Sequence, residues 1–515
     1  MADLRRYVPG AALSWPGEDA SRPAALHRHV DGTLVFVDVS GFTALSEKLA
    51  QRGKVGAEQL TDVLNTVFGT MLGLAAARGG TLLKFGGDAL FLLFTGEDHA
   101  VQATCAAVEM RTALAQTAKT PSPAGRLRLR MSVGVHTGLV DLFLVGTSHR
   151  ELVVVGPATT AVAELEGSAS AGQILLGQQT AAALPSGAVG DALGPGRLLR
   201  WRRPHADHPA GYSRPDTDLD VAPFVPTALR SFLASGDPES EHRTVGVSFV
   251  RYTGMDALLE DHGHQAAADA LHTMVTSAQG CCDAEGVTFL ATDLAEDGGK
   301  IIMVAGFPTT AEDDQGRLLR ASRRIITDSL AQGWPLAVRA GLNRGHVFAG
   351  AIGSFERATV TVMGDTVNLA ARVMAKADPG TVLATPSTLD NAQTLFATEP
   401  VEPFMVKGKS QPVSAYKVGG ETGTRPPRGL GSLPFVGRDD ELHIILDAID
   451  GLTSGTGSVI TITGDVGMGK TRLLREALKA RDTTPVVLAR AEPYGCLLYT
   501  SDAADESRRG GGGGG

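Results

Sequence analysis

Two aspartates, each next to an apolar run, are the residues of this chain best suited to do chemistry. Asp38 follows the run LVFV in LVFVDVSGFT, and Asp88 follows two glycines in LLKFGGDALFLLF. Carboxylate oxygens are preferred ligands of hard cations such as Mg²⁺, and two such ions about 3.5–4 Å apart support in-line displacement at phosphorus. Either aspartate alone is more typical of a turn or a helix cap, so the chemistry requires a fold that brings the two together.

The sequence around both aspartates predicts the elements that would position them. The run LVFV predicts a buried strand, and the apolar residues on both sides of Gly86-Gly87 predict a hairpin whose tight turn presents Asp88. Apolar residues at helical spacing predict helices over 43–52, 57–78 and 99–118, and alternation from Leu127 predicts another strand. This order favours an α+β fold with helices packed on an antiparallel sheet.

The two motifs resemble the metal-binding half of a class III nucleotide cyclase, through F-x-D-x-x-G-F around Asp38 and K-x-x-G-D around Asp88. The resemblance implies that the two aspartates hold two magnesium or manganese ions on a nucleoside triphosphate, with the Val39 carbonyl as a further ligand. It also implies that the turn after the strand approaches the phosphates. That turn comprises Ser40, Gly41, Phe42 and Thr43.

The chain contains an internal repeat, because glycines in the stretch from Met131 recur in register in the stretch from Val338. The pairs are Gly134 with Gly341, Gly138 with Gly345, Gly146 with Gly353 and Gly156 with Gly364. Two copies of one domain are therefore predicted in tandem. The resemblance implies two ferredoxin-like cyclase domains that form a pseudo-heterodimer within one chain. The expected organisation is an N-terminal arm (1–30), domains at 31–205 and 241–418, and linkers at 206–240 and 419–432.

The two copies lack different residues. Arg251 stands in the second copy where the first has Asp38, whereas Asn368 and Arg372 of TVMGDTVNLAARV match the family's transition-state segment. These two are four residues apart and so share one helix face. The first copy has Thr160 and Glu164 at the corresponding positions. Complementary losses favour one composite active site, in which the resemblance implies that Asn368 positions the ribose and Arg372 stabilises charge on the α-phosphate.

The resemblance also implies substrate contacts. Thr361 takes the place of the residue that reads the adenine edge, and Lys407, with Lys409 as the second choice, takes the place of a lysine that contacts the triphosphate. The family's adenine-reading lysine should come from the second copy, but Asp297 aligns there and the nearest lysine is Lys300. ATP is the expected substrate and cyclic AMP the expected product, with GTP less favoured.

The other half-site contains Lys84, where soluble relatives of the family bind bicarbonate with the help of an arginine. This chain has Ala163 and Glu164 in that region. Bicarbonate control is therefore not expected.

A third domain is predicted over 433–495 from a phosphate-binding loop of the form G-x-x-x-x-G-K-[ST]. Its fixed positions are Gly464, Gly469, Lys470 and Thr471. With a preceding apolar strand and a following helix, the segment resembles the start of an AAA-like signalling ATPase, which implies ATP and magnesium at this loop. No acidic strand follows to complete hydrolysis, so ATPase activity of this piece is not expected. The tail 496–515 resembles a translated sequencing adapter and lacks a core pattern.

The composition argues against a nucleic-acid-binding protein and against a membrane-spanning one. The net charge of −9 and the sequence pI near 5.8 argue against a nucleic-acid surface, which needs a concentrated basic face. The four cysteines have no metal-type spacing and favour a reducing compartment. No apolar run reaches the length of a membrane span, and the N-terminus lacks a signal-peptide core. The sequence predicts a cytoplasmic protein with neither a membrane nor a nucleic-acid partner.

Two functions stay open at this stage. The first is an adenylate cyclase with one composite site per chain, acting in intracellular signalling. The second is an inactive pseudo-cyclase that senses a nucleotide and controls the C-terminal ATPase. The metal pair and the Asn368/Arg372 pair favour the enzyme, whereas Asp297 in place of a lysine favours the sensor.

Overall fold

The computed structural model describes residues 4–15, 23–42, 53–87, 89–117, 129–203, 220–234, 240–354, 357–406, 411–425, 435–464 and 469–481, with a few isolated positions between them. Contacts divide the chain into two units, Met1–Gly423 and Thr424–Gly515. The larger unit contains both copies of the repeat.

The first domain is an α+β domain. Its elements are a 3-10 turn (Leu4–Tyr7), α1 (Gly10–Leu13), β1 (Leu26–Ser40), α2 (Gly53–Ala77), β2 (Gly80–Gly86), β3 (Ala89–Phe94), α3 (His99–Thr117), β4 (Pro121–Ser122), β5 (Gly125–Arg126), β6 (Arg130–Val145), β7 (Glu151–Val155), α4 (Pro157–Ser168), β8 (Ile174–Leu176), α5 (Gln178–Ala183), a 3-10 turn (Ser186–Ala188), β9 (Val189–Leu193) and β10 (Gly196–Leu199).

The second domain repeats this order without the small hairpin formed by β4 and β5. Its elements are a 3-10 turn (Ala222–Phe224), α6 (Thr227–Ala234), β11 (Glu241–Thr253), α7 (Met255–Glu285), β12 (Thr288–Ala295), β13 (Gly298–Ala305), α8 (Asp314–Gln332), β14 (Ala337–Gly353), β15 (Ala358–Met363), α9 (Asp365–Lys376), β16 (Val382–Ala384), α10 (Pro386–Leu389), β17 (Thr394–Phe404) and β18 (Val413–Thr424).

The two large sheets have the same topology. The first has the order β2-β3-β1-β6-β8-β10-β9 with β7 beside β6, and the second has the order β12-β13-β11-β14-β16-β18-β17 with β15 beside β14. Each is mixed, because β6 pairs with β8 and β14 with β16 in parallel. The predicted α+β fold and tandem repeat are confirmed. The helix predicted over 43–52 lies almost wholly outside the described residues.

The repeat glycines occupy equivalent positions in the two sheets. Phe36 of β1 pairs with Gly134, and Phe249 of β11 pairs with Gly341. A side chain at Gly341 would clash with the helix above it, because an added Cβ would lie 2.0 Å from the Met374 backbone nitrogen. Glycine therefore allows α9 to lie directly on the sheet.

Helix α2 packs in the core of the first domain. Its segment Glu58–Ala77 is, in the described part of the chain, the one helix whose length and composition would suit a membrane span. Leu60, Leu64 and Phe68 of this segment are nonetheless almost fully buried in the domain core. The apolar face of α2 is thus covered by protein, as expected of a core helix.

The two domains pack against each other in a pseudo-twofold arrangement. Helix α2 of the first domain packs on β14, and α7 of the second packs on β6. Asn65 of α2 accepts a hydrogen bond from the Gly353 amide at 3.0 Å, and Gln279 of α7 accepts one from the Thr147 amide at 2.8 Å. The two domains therefore form an intramolecular pseudo-dimer.

The repeat extends into the segments that precede each domain, which the sequence analysis assigned to an arm and a linker. Tyr7 ends a 3-10 turn, and Val8-Pro9 connects it to α1. In the same way Phe224 ends a 3-10 turn, and Val225-Pro226 connects it to α6. Val8 and Val225 are buried in one core shared by both domains. The signal for this in the sequence is the motif Tyr/Phe-Val-Pro, which recurs about 217 residues later.

The smaller unit contains two described helices, α11 (Asp439–Thr453) and α12 (Lys470–Ala480). Ile445, Leu473 and Ala477 form its small core. The strand predicted before Gly464 is wrong, because residues 456–464 have no regular structure and Val459 is 97% exposed. A strand needs a neighbour to pair its backbone groups, and the described part of this unit contains no other strand.

Candidate active site

Asp38 lies at the end of β1 with its carboxylate half-buried. It pairs across the sheet with Ala89 of β3 and with Ser132 of β6. Asp88 itself lies outside the described residues, but it directly precedes Ala89, and β2 ends two residues before it at Gly86. The fold therefore places Asp38 opposite Ala89, the residue that follows Asp88 in the sequence, at one end of two adjacent strands.

In the turn after β1, the apolar side chains point into the core, which leaves mainly backbone groups for contact with a ligand. Val39 is fully buried, and the Phe42 ring packs on Phe68 in the core with ring centroids 5.5 Å apart. Ser40 is exposed and donates to the Arg130 carbonyl at 3.3 Å. Gly41 has a φ of 111°, a conformation that favours glycine. Thr43 lies outside the described residues.

Helix α9 carries the predicted transition-state residues of the second domain. Asn368 and Arg372 lie one turn apart and are both half-buried. The Asn343 side chain donates to the Thr366 carbonyl at 3.0 Å, which fixes the first turn of the helix over β14. The opposite face of α9, including Ala370 and Met374, enters the core shared by the two domains.

Thr361 is a buried residue of β15 that pairs with Gly350 of β14. It is therefore held rigidly by the sheet, with its hydroxyl 3.4 Å from the Val362 carbonyl. Lys407 and Lys409 lie outside the described residues.

The expected alignment of Asp297 with the adenine-reading lysine is wrong. Both hairpins contain a register shift at the same place, between Leu82 and Lys84 in the first domain and between Phe289 and Ala291 in the second. The residue equivalent to Lys84 is therefore Ala291. The sequence misled because the strands of the second hairpin continue two residues further past this position before their turn, from Ala291 to Ala295 against Lys84 to Gly86.

Asp297 instead caps a helix. It sits in the β12–β13 turn with a φ of 53°, and its carboxylate accepts hydrogen bonds from the amides of Gly254 and Asp256 at 2.9 and 3.1 Å. Lys300 is the cross-strand partner of Arg251 and contacts Asp293, with their charged atoms 3.3 Å apart. It lies on the side of the second domain that corresponds to the metal side of the first.

The second half-site has the opposite charge pattern. Where Asp38 has Ala89 and Ser132 as neighbours, Arg251 has Lys300 and Arg339. Burial, and then the charge of Arg339, lower the pKa of Arg251 below its ordinary value. A metal cation would be repelled by this row of cations.

The second half-site is also closed by hydrogen bonds between the domains. Thr160, the equivalent of Asn368, donates to Asp256 at 2.7 Å and accepts from the Asp297 amide at 2.9 Å. Glu164, the equivalent of Arg372, is exposed. Strand β12 packs directly on β7.

The donor set around Asp38 suits magnesium. One carboxylate is described at the end of β1, and the neighbouring hairpin supplies a second in Asp88. Mg²⁺ is commonly held by one or two carboxylates and completed by substrate phosphates and water. Among the described residues, no group of three or more His, Cys, Asp or Glu forms an alternative metal site.

The phosphate-binding loop is described only at its two ends. Gly464 and Gly469 have φ values of 155° and 83°, and Gly469 directly precedes α12. The Lys470 ammonium donates to the Gly464 carbonyl at 2.7 Å, which brings the ends of the loop together. Residues 465–468 and the Thr471 side chain lie outside the described residues.

The fold, the repeat and the site define a class of protein. The family model for the adenylate and guanylate cyclase catalytic domain matches residues 25–192 and 238–420, about two thirds of the chain. The chain therefore belongs to the class III adenylate/guanylate cyclase family. An AAA ATPase domain model matches residues 434–506.

Comparison of the sequence and of the fold with known proteins finds several relatives. The chain is 25% identical over 508 residues to adenylate cyclase type 10 of Oryctolagus cuniculus, and 24% identical over 497 residues to that of Homo sapiens. Each match covers 87% of this chain but 30% of the relative, so the chain spans less than a third of the length of these relatives. The fold resembles that of a class III adenylyl cyclase-like ATP-binding protein from Pseudomonas aeruginosa, with a TM-score of 0.51 and 14% identity over 72% of this chain and 87% of that one.

Proposed function

We propose that this chain converts ATP to 3′,5′-cyclic AMP and pyrophosphate at one composite site between its two cyclase domains. The observation that carries the proposal is the complementary distribution of residues over the two halves. Asp38 remains in the first domain, whereas Asn368 and Arg372 remain in the second. Loss of packing would not sort metal ligands into one copy and an Asn/Arg pair into the other.

The residues of the chain have separate roles in this scheme. Asp38, Asp88 and the Val39 carbonyl would hold two magnesium or manganese ions, which supply charge neutralisation on the phosphates and activation of the ribose 3′-hydroxyl. The amides of the turn from Ser40 to Thr43 approach the phosphates.

The second domain and the closing hairpin supply the remaining contacts. Asn368 orients the ribose so that the 3′-oxygen faces the α-phosphorus. Arg372 and Lys407 stabilise the charge that develops as pyrophosphate leaves. Thr361 contacts the adenine edge.

A second candidate is a nucleotide sensor without cyclase activity. The observation that favours it is Ala291, which has no amine to offer where the first domain has Lys84. The same absence weakens the discrimination of ATP from GTP, so the preference for ATP rests on Thr361. In either case we propose a cytoplasmic protein whose nucleotide site acts in signalling, with a nucleotide-binding ATPase segment behind it.

The test is product formation by the purified chain. With ATP and magnesium or manganese we expect cyclic AMP, less cyclic GMP from GTP, and neither product when EDTA removes the metal. A chain that binds a fluorescent ATP analogue but forms no cyclic nucleotide with either metal would support the sensor instead.

A further inference from the structure

A buried cluster of charged and polar side chains joins the two domains on the side away from the proposed catalytic site. Its centre is Glu151, at the start of β7 in the first domain. The Lys84 ammonium of β2 donates to the Glu151 carboxylate, and also to the Thr292 hydroxyl of β12 at 2.7 Å. Lys84, Glu151 and Thr292 are all more than nine-tenths buried.

The Glu151 carboxylate accepts from both domains. From the second domain, the Thr292 hydroxyl and amide donate to it at 2.6 and 3.0 Å. From the first, His149 approaches its other oxygen at 3.4 Å. Burial by itself raises the pKa of Glu151, but the nearby Lys84 and His149 outweigh burial and hold the pKa well below its usual range. The carboxylate is thus a charged acceptor shared by three strands.

The cluster is connected to the catalytic half-site through short segments. Lys84 lies on β2, four residues before Asp88. Thr292 is followed by Asp293, which approaches β2 so closely that a Cβ added to Gly86 would lie 2.9 Å from its Oδ1. A shift of β12 relative to β2 would therefore move the hairpin that carries Asp88.

The same cluster is connected to the transition-state residues through the second sheet. β12 pairs with β13 and β13 with β11, and α9 packs on β11 and β14. These sheet contacts are rigid, so the position of β12 sets the position of Asn368 and Arg372 relative to the first domain.

The equivalent positions in the other half-site cannot form this ion pair. Lys84 corresponds to Ala291, Glu151 to Thr359 and Thr292 to Phe85, as the strand registers show. The ionic junction between the domains is therefore one-sided, and it lies opposite the proposed site of chemistry.

We propose that Glu151 is a positioning residue, whose carboxylate ties β12 of the second domain to β2 and β7 of the first and so aligns the two catalytic halves. The inference rests on the proposed function. The cluster requires no added ion, because the chain itself supplies the anion that neutralises Lys84. Truncation of Glu151 leaves a buried ammonium without its anionic partner, beside a cleft that is lined by both Lys84 and Glu151.

The experiment compares Glu151→Ala with the wild-type chain, and uses Thr359→Ala at the equivalent position as the matched control. We expect kcat of Glu151→Ala to fall about 10²-fold, because a displacement near 1 Å between catalytic groups has an effect of that size. We expect KM for ATP to change less than about threefold, since a displacement near 1 Å weakens the aligned transition state more than the binding of the ground state. Thr359→Ala should differ from wild type by less than twofold.

Rescue by a small anion separates positioning from a general loss of structure. Formate or acetate added at tens of millimolar should enter the cleft, pair with Lys84 and raise kcat of Glu151→Ala at least about tenfold, with no effect on the wild type. The same anions should raise the melting temperature of Glu151→Ala, because they bind the folded state only. Glu151→Gln, which fills the space, should not be rescued.

The outcomes are distinct. Full activity of folded Glu151→Ala, or an activity loss that neither anion reverses, would overturn the positioning role. If Glu151→Ala does not fold, Thr292→Val serves instead, with an expected fall in kcat of about tenfold, and an unchanged kcat in that variant would overturn the role as well. A wild-type chain without cyclase activity would refute the proposed function itself, whereas anion-dependent melting of Glu151→Ala would still show the junction.

Discussion

The two half-sites of this pseudo-dimer are built from equivalent strands and helices but have opposite contents. One has Asp38 at the end of β1 and, by our proposal, is completed by Asn368 and Arg372 on α9 of the other domain. Its counterpart has Arg251 at that position, in a row with Lys300 and Arg339.

The second half-site also contains hydrogen bonds that join the two domains. Thr160 joins Asp256 and Asp297 there, and Glu151 joins Lys84 and Thr292. The comparison suggests how two equivalent half-sites can take different roles, one in binding substrate and the other in joining the domains. A substrate cleft needs charged groups whose partners arrive with the ligand, whereas a domain junction needs groups that satisfy one another.

The largest expected loss of activity follows from substitution of Asp38, the acid that the second half-site lacks. Asp38→Ala should lower kcat/KM for ATP by about 10³-fold or more, because metal ions contribute several kcal/mol and each tenfold in rate is about 1.4 kcal/mol. Arg251→Ala at the equivalent position should change kcat/KM by less than threefold. Steady-state assays of both variants test this, and equal losses would mean that the two half-sites are not functionally distinct.

The next effect concerns Arg372, the residue of α9 that we propose stabilises charge on the phosphates. Arg372→Ala should lower kcat by about 10²–10³-fold, the usual result of removing one fixed group that stabilises transition-state charge. Glu164→Ala, its equivalent on α4, should stay within threefold of wild type. If Arg372→Ala raises KM and leaves kcat unchanged, Arg372 contributes to substrate binding rather than to stabilisation of the transition state.

Substitution of Ala291 by lysine is expected to increase the preference for ATP over GTP. Ala291→Lys introduces an amine on β12, at the position where the first domain has Lys84 on β2. The ratio of kcat/KM for ATP to that for GTP should rise about tenfold, the size of one added hydrogen bond to the base. Competition assays with both nucleotides measure the ratio, and Ala291→Met controls for side-chain length. An unchanged ratio would show that the base is read elsewhere.

The smallest effect is expected from the closing contacts of the second half-site. Thr160→Val removes the hydroxyl that donates to Asp256 and leaves the Asp297 amide without its acceptor. The free energy of unfolding should fall by about 1 kcal/mol, the usual net contribution of one hydrogen bond, because Thr160 and Asp297 are only half-buried. Thermal melting compares this variant with Thr160→Ser, which should retain most of the stability.

Much of the fold could be predicted from sequence because the repeat glycines mark positions where helices lie on a sheet. Gly134 and Gly341 fix the register of the two copies, and the structure places both at the same point of equivalent sheets. The placement of Asp38 at a strand end also followed from the local pattern.

Other features of the site depend on contacts between residues far apart in the chain, or on strand lengths, which alignment of the two repeats does not show. Ala291 was missed because the strands of the second hairpin extend two residues further past this position than those of the first. Glu151 was missed because its partners are 67 and 141 residues away. The strand expected before the phosphate-binding loop did not form, because apolar residues alone cannot make a strand without a neighbour to pair with.

The most direct test of the central claim is to mix two inactive chains. Asp38→Ala damages the metal half of the composite site, and Arg372→Ala damages the transition-state half. If the site forms within one chain, as the shared core of the two domains requires, every chain in the mixture has one damaged site and cyclic AMP production stays at the level of the single variants. Recovery of activity toward about a quarter of the wild-type rate, the statistical share expected if halves were freely exchanged between chains, would contradict the account.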